Sequence, residues 1–123
     1  MPSDIQQAKG YDTVLDVTEE QLGRVYATAF LGACESGGVA DEAVSQLEAV
    51  VIEVLDAHPK FAEAVRSAFL SHEERVGLID RVLGGKVLPV VLNTLKVLSQ
   101  HNRSPLLRTM VTQARKMLDE RAG

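Results

Sequence analysis

Tryptophan is absent from this 123-residue chain, cysteine occurs once, and two tyrosines and three phenylalanines are its only aromatics. The single cysteine, Cys34, excludes an internal disulfide and fits a reducing compartment. Long apolar runs are missing as well. The longest, around 87-VLPVVL-92, is short and broken by proline, so nothing approaches a membrane span. The first sixteen residues set Lys9 against Asp4, Asp12 and Asp16, with neither a hydrophobic signal core nor an Arg-rich transit pattern. They are expected to form a flexible arm over 1–16, ahead of a domain over 17–123, in a protein acting inside a cytoplasm or on its side of a membrane. No segment alternates at period two between turn residues, which excludes strands, and no solenoid repeat or low-complexity tract appears.

What remains is helical. The first helix is expected from Asp16 or Thr18, with Glu19 and Glu20 in its first turn, to 36-SGG-38. A second runs from Asp41 to 58-HP-59, with Val44, Leu47, Val51, Val54 and Leu55 at helical spacing. Pro59 opens a short third helix carrying Phe61, Ala62, Val65 and Phe69. A capping box at 71-SHEE-74 opens a fourth, closed by Gly84 and Gly85. The fifth spans about Val87 to Gln100, and Pro105 starts the sixth, lined by Leu107, Met110, Ala114, Met117 and Leu118. The expected fold is all-α, a compact bundle of about six helices.

The first helix has too much apolar surface for one face. Rotating about 100° per residue from Leu22 places Val25, Tyr26, Ala29, Phe30 and Ala33 within a wedge of roughly 140°, a core-facing stripe. Ala27, Leu31 and Cys34 fall on a second arc. In the fifth helix, Leu88, Val91, Leu92, Leu95 and Leu98 share a stripe, while Val90, Thr94 and Val97 lie on the other side. If the two helices are neighbours, their leftover faces form a groove that accepts an amphipathic helix. Burial of two central helices on most sides explains the same pattern equally well.

No catalytic or metal constellation emerges. His58, His72 and His101 share no i, i+4 spacing. Cys34 sits near a helix C-terminus, where the dipole opposes a thiolate. Around 84-GGK-86, Asp80 stands where a phosphate loop needs its first glycine, and Val87 where Ser or Thr belongs. No cofactor is expected. Charge is uneven: residues 1–95 carry a balance of −8 and residues 96–123 one of +4, giving the overall −4. The basic end admits an alternative, a small helical nucleic-acid-binding or transcription-related domain. Against it, the basic stripe is sparse and the last aromatic is Phe69.

The pattern resembles a known family, the delta subunit of F-type ATP synthases, equivalent to the oligomycin-sensitivity-conferring protein. The first helix has Tyr26-Ala27-x-Ala29-Phe30-Leu31, close to that family's Tyr-Ala-x-Ala-Leu-Phe. Pro59 and Phe61 match its helix-opening proline and following apolar residue. The fifth helix has Leu92-Asn93-x-Leu95-x-x-Leu98, similar to its Asn-x-Leu-x-x-Leu, and Arg103 followed by Leu107 matches the turn before its last helix. Gly32 after Phe30-Leu31, and Ser104-Pro105, depart from the pattern.

The resemblance implies a non-catalytic stator subunit of the peripheral stalk in a proton-translocating ATP synthase, peripheral to the cytoplasmic side of a bacterial inner membrane. It implies an N-terminal domain with the family's C-terminal domain absent. The partners it implies are the N-terminal helix of an alpha subunit, held between the first and fifth helices, and the b subunit, reached through the absent domain. Nucleic acid and direct membrane insertion are not implied. The family's groove maps onto Tyr26, Ala27, Ala29, Phe30 and Val97, and the rotation argument adds Leu31, Val90 and Thr94.

Overall fold

The computed structural model describes the backbone of residues 2–122 and the side chains of residues 18–122, and among them there is no strand. The order is α1 (Pro2–Glu35), α2 (Ala40–Ala49), a π-helical segment (Val50–Asp56), α3 (Pro59–Arg66), α4 (His72–Leu83), α5 (Pro89–Gln100), a 3-10 turn (Ser104–Leu106) and α6 (Leu107–Ala122). The all-α bundle of six α-helices is the one the sequence predicts.

Boundaries follow local chemistry. α1 begins at Pro2 rather than at Asp16 or Thr18. Nothing in between stops it, because Gly10 costs a helix only about 1 kcal/mol and Asp or Thr is tolerated inside one. The flexible arm expected over 1–16 falls on residues whose side chains lie outside the described set. At its other end α1 closes as Val39 N–H donates to Cys34 O at 3.2 Å, with Gly38 in the left-handed region at φ 66°. Gly37 needs no such geometry.

Two elements differ from expectation. The second helix continues past Ala49 as a π-helix, although Val51 is buried and Val54 and Leu55 half-buried, as the α spacing required. The third stops at Arg66. There Ser67 turns extended and its hydroxyl accepts the Phe69 N–H at 3.1 Å, a local bond that competes with another helical turn. Phe69 is left 99% exposed, outside both helix and core.

The capping box forms as predicted: Glu74 N–H donates to Ser71 Oγ at 3.1 Å, and Ser71 N–H to Glu74 Oε1 at 2.9 Å. Those bonds, the one from the Ser71 backbone first, hold the Glu74 carboxyl below its ordinary range. Pro89 takes the first turn of α5, and the N–H of its neighbour Leu88 is satisfied by Gln46 Oε1 of α2 at 2.7 Å.

α1 packs chiefly on α6 and also touches α2 and α5. Gly23 faces Thr109, and Glu35 pairs with Arg121, so α1 and α6 run parallel. Between them and α2, α4 and α5 lies an aliphatic core including Leu31, Leu47, Leu98 and Met110.

Candidate functional site

α1 turns the sequence expectation around. Its second arc is the core face: Ala27, Leu31 and Cys34 are each 0% exposed. Of the stripe expected inside, only Phe30 is buried, at 3%. Tyr26 is half-buried, Ala29 and Ala33 are exposed, and Val25 is 62% exposed. The physical reason is company. α6 and α2 approach α1 on the side of its smallest residues, where Gly23 and Ala27 allow close contact, and the bulkier valine is left outside.

α5 follows the expectation in part. Of its stripe Val91, Leu95 and Leu98 are buried, joined by Ser99, while Leu88 and Leu92 are half-buried like Val90 and Thr94, and Val97 is 40% exposed. Thr94 Oγ donates to its own helix at Val90 O, 2.8 Å away, and Thr28 Oγ of α1 does the same to Arg24 O at 2.8 Å. Both threonines thereby satisfy their hydroxyls internally, so the α5 face of Val90, Thr94 and Val97 is effectively apolar. α1 and α5 touch, and each carries apolar residues at the surface. Of the eight residues the sequence singled out, Tyr26, Ala29, Val90, Thr94 and Val97 reach the surface. Ala27, Phe30 and Leu31 are buried in the core. Val25 lies outside that set because neither the family motif, which starts at Tyr26, nor the second arc of α1 includes it.

A well-defined concavity lies elsewhere. A cleft of about 530 Å³ opens between the π-helical segment, α3 and the start of α6, over a floor of Val65, Ile79, Leu83, Leu95 and Leu98. No pattern in the sequence marked it, because its walls come from elements far apart in the chain.

The candidate chemical groups are committed to structure. Cys34 is buried, and burial first, then the Glu35 charge, pushes its thiol pKa up. Arg75 is 5% exposed and donates to Ser67 O and Asn102 Oδ1, each at 3.0 Å, with His72 Nδ1 also within hydrogen-bond distance.

The basic end is likewise engaged. Arg108 pairs with Asp56, Arg121 with Glu35, Lys96 with Asp80 at 2.9 Å, and Arg115 with Glu48 at 2.7 Å. The hydrogen bond to Glu48 raises the Arg115 pKa and lowers that of Glu48. These cations knit the last part of the chain to an acidic body. No helix among the described residues is long and apolar enough to cross a membrane.

A family model for the ATP synthase delta (OSCP) subunit matches residues 22–123. The ATP synthase subunit delta of Rhodopirellula baltica is 34% identical over 119 residues, 97% of this chain and 52% of that protein. That of Chlorobium phaeobacteroides is 31% identical over 100 residues, 81% of this chain and 55% of the relative. That of Prochlorococcus marinus is 31% identical over 86 residues, covering 70% and 47%. The chain spans about half the length of the curated relatives it matches. No solved structure matches it.

Proposed function

Because this chain belongs to the ATP synthase delta (OSCP) subunit family, we propose that it is a non-catalytic stator component. It binds the N-terminal helix of an alpha subunit against the apolar faces of α1 and α5. The observation that carries this reading is the pair of uncovered apolar faces on touching helices, with Val25 62% and Val97 40% exposed. Exposed apolar residues in contiguous patches mark interaction sites, and a helix with two such walls beside it buries its own apolar face. In the assembly the domain keeps the catalytic head from turning with the rotor during proton-driven ATP synthesis. It works on the cytoplasmic side of a bacterial plasma membrane, with the b subunit engaged by the family's second half.

The energetics suit a tethered contact. Four side chains each losing roughly 50 Å² of apolar surface contribute about 5 kcal/mol. Ordering the partner helix consumes part of this, so the domain alone binds modestly, and nanomolar anchoring near −12 kcal/mol requires further contacts.

The test is a titration of the isotope-labelled chain with a peptide of the alpha subunit N-terminus. Resonances of α1 and α5 broaden, and Val97→Asp abolishes the effect while helical circular dichroism is unchanged. Equal binding by that variant places the contact elsewhere. The nucleic-acid alternative predicts RNA binding with a steep salt slope, and the pairing of Lys96, Arg108, Arg115 and Arg121 with carboxylates argues against it.

A further inference from the structure

The cleft beside the π-helical segment reaches down to the core of the bundle. Its floor of Val65, Ile79, Leu83, Leu95 and Leu98 is aliphatic throughout, and none of the five is more than 8% exposed. A volume of about 530 Å³ falls within the range of small-molecule sites, about 300–1,000 Å³. One wall is supplied by the Val50–Asp56 π-helix, a geometry often found at functional sites. Another is α3, a short helix whose only buried residue is Val65.

Charge is confined to the rim. Residues 55–66 and 103–108, which shape it, hold Lys60, Arg66, Arg103 and Arg108 against Asp56 and Glu63. That is a balance of +2 on a chain whose total is −4, so the mouth favours an anion. Arg108 is already paired with Asp56. Arg66 has no carboxylate partner among the described residues, and its Nε donates to Ala62 O at 3.2 Å. That bond holds the root of the guanidinium and leaves its two terminal amino groups to grip a carboxylate as a fork. Glu63, also on the rim, opposes an anion, but Lys60 stands three residues before it on α3, near enough to offset its field.

We propose that this cleft binds a medium-chain aliphatic carboxylate, with the hydrocarbon chain on the aliphatic floor and the head group on Arg66. The floor offers the buried part of a ligand no polar atom, which selects hydrocarbon, and Arg66 supplies the free cation at the mouth. None of the walls belongs to α1, and the proposal does not depend on the docking of a partner helix.

The experiment titrates the isotope-labelled chain with octanoate, decanoate and dodecanoate below their micelle thresholds. Decanol and decyltrimethylammonium serve as controls of equal chain length. Resonances of Leu55, Phe61, Ala62 and Val65 shift and saturate, and affinity rises about fourfold per added methylene. Arg66→Gln, a change at an exposed side chain, weakens decanoate several-fold at low salt and leaves decanol unaffected. Ala62→Phe, which fills the cleft from its wall, abolishes binding of every ligand while helical circular dichroism stays the same. Shifts that never saturate, or that spread evenly over the whole surface, mean detergent-like partitioning only and overturn the proposal. So does decanoate binding by Arg66→Gln at the parent's affinity, or equal binding of decyltrimethylammonium and decanoate by the parent.

Discussion

Gly23 of α1 lies so close to Thr109 of α6 that a Cβ in place of the glycine hydrogen would stand 2.6 Å from Thr109 Cγ2. Helices pack this tightly only where one supplies a residue without a side chain, and this crossing fixes how α1 rolls on the bundle. Gly23→Ala gains roughly 1 kcal/mol of helix propensity and loses more to overpacking, which typically costs about 1–3 kcal/mol. Urea unfolding should show net destabilisation, and adding Thr109→Ser, which removes the clashing methyl, should recover most of it.

Among the described residues the buried Arg75 has no carboxylate partner, and its Nε has no hydrogen-bond partner. It braces the loop after α3 through Ser67 O and the turn before α6 through Asn102. Arg75→Ala should cost about 2–4 kcal/mol through lost packing and lost hydrogen bonds. Arg75→Met should cost clearly less, since an apolar stem of similar volume avoids burying an unpaired charge. Equal losses in denaturant titrations of the two variants would falsify this account.

Acid should weaken the contact between α2 and α6. Glu48 is held below its ordinary 4.5, first by the hydrogen bond from Arg115. A carboxyl with a depressed folded pKa contributes stability above the unfolded value, and that contribution is lost as pH falls through the folded one. The melting temperature should therefore drop on acidification below about pH 4.5, and Glu48→Gln should drop less. The pair is partly solvated, so the difference is small, about 0.5 kcal/mol.

Phe69 and Val65 separate surface from core within a few residues. Phe69→Ala should change stability by less than about 0.5 kcal/mol, because the ring is 99% exposed. Val65→Ala, at 8% exposure, should cost about 1–3 kcal/mol. Chemical denaturation of the two variants measures both.

Much of this molecule was written locally. The Ser71–Glu74 capping box, Pro59 and Pro89 in first turns, and Gly38 and Gly85 at positive φ all mark helix ends through bonds or torsions spanning a few residues. Such features are legible because they need no distant partner. Phe69 escaped the same logic, since a single hydroxyl, that of Ser67, outbid one more helical turn.

The sequence by itself determined that α1 and α5 each carry more apolar surface than one contact can hide, and which residues share each arc. Only the packing decided which arc of α1 went inside. Rotation along a helix groups side chains but carries no information about where the rest of the protein lies, and both arcs were apolar. The choice fell to Gly23, Ala27 and Cys34 because small side chains let α6 and α2 come close, and that contact turned Val25 outward to wait for something else.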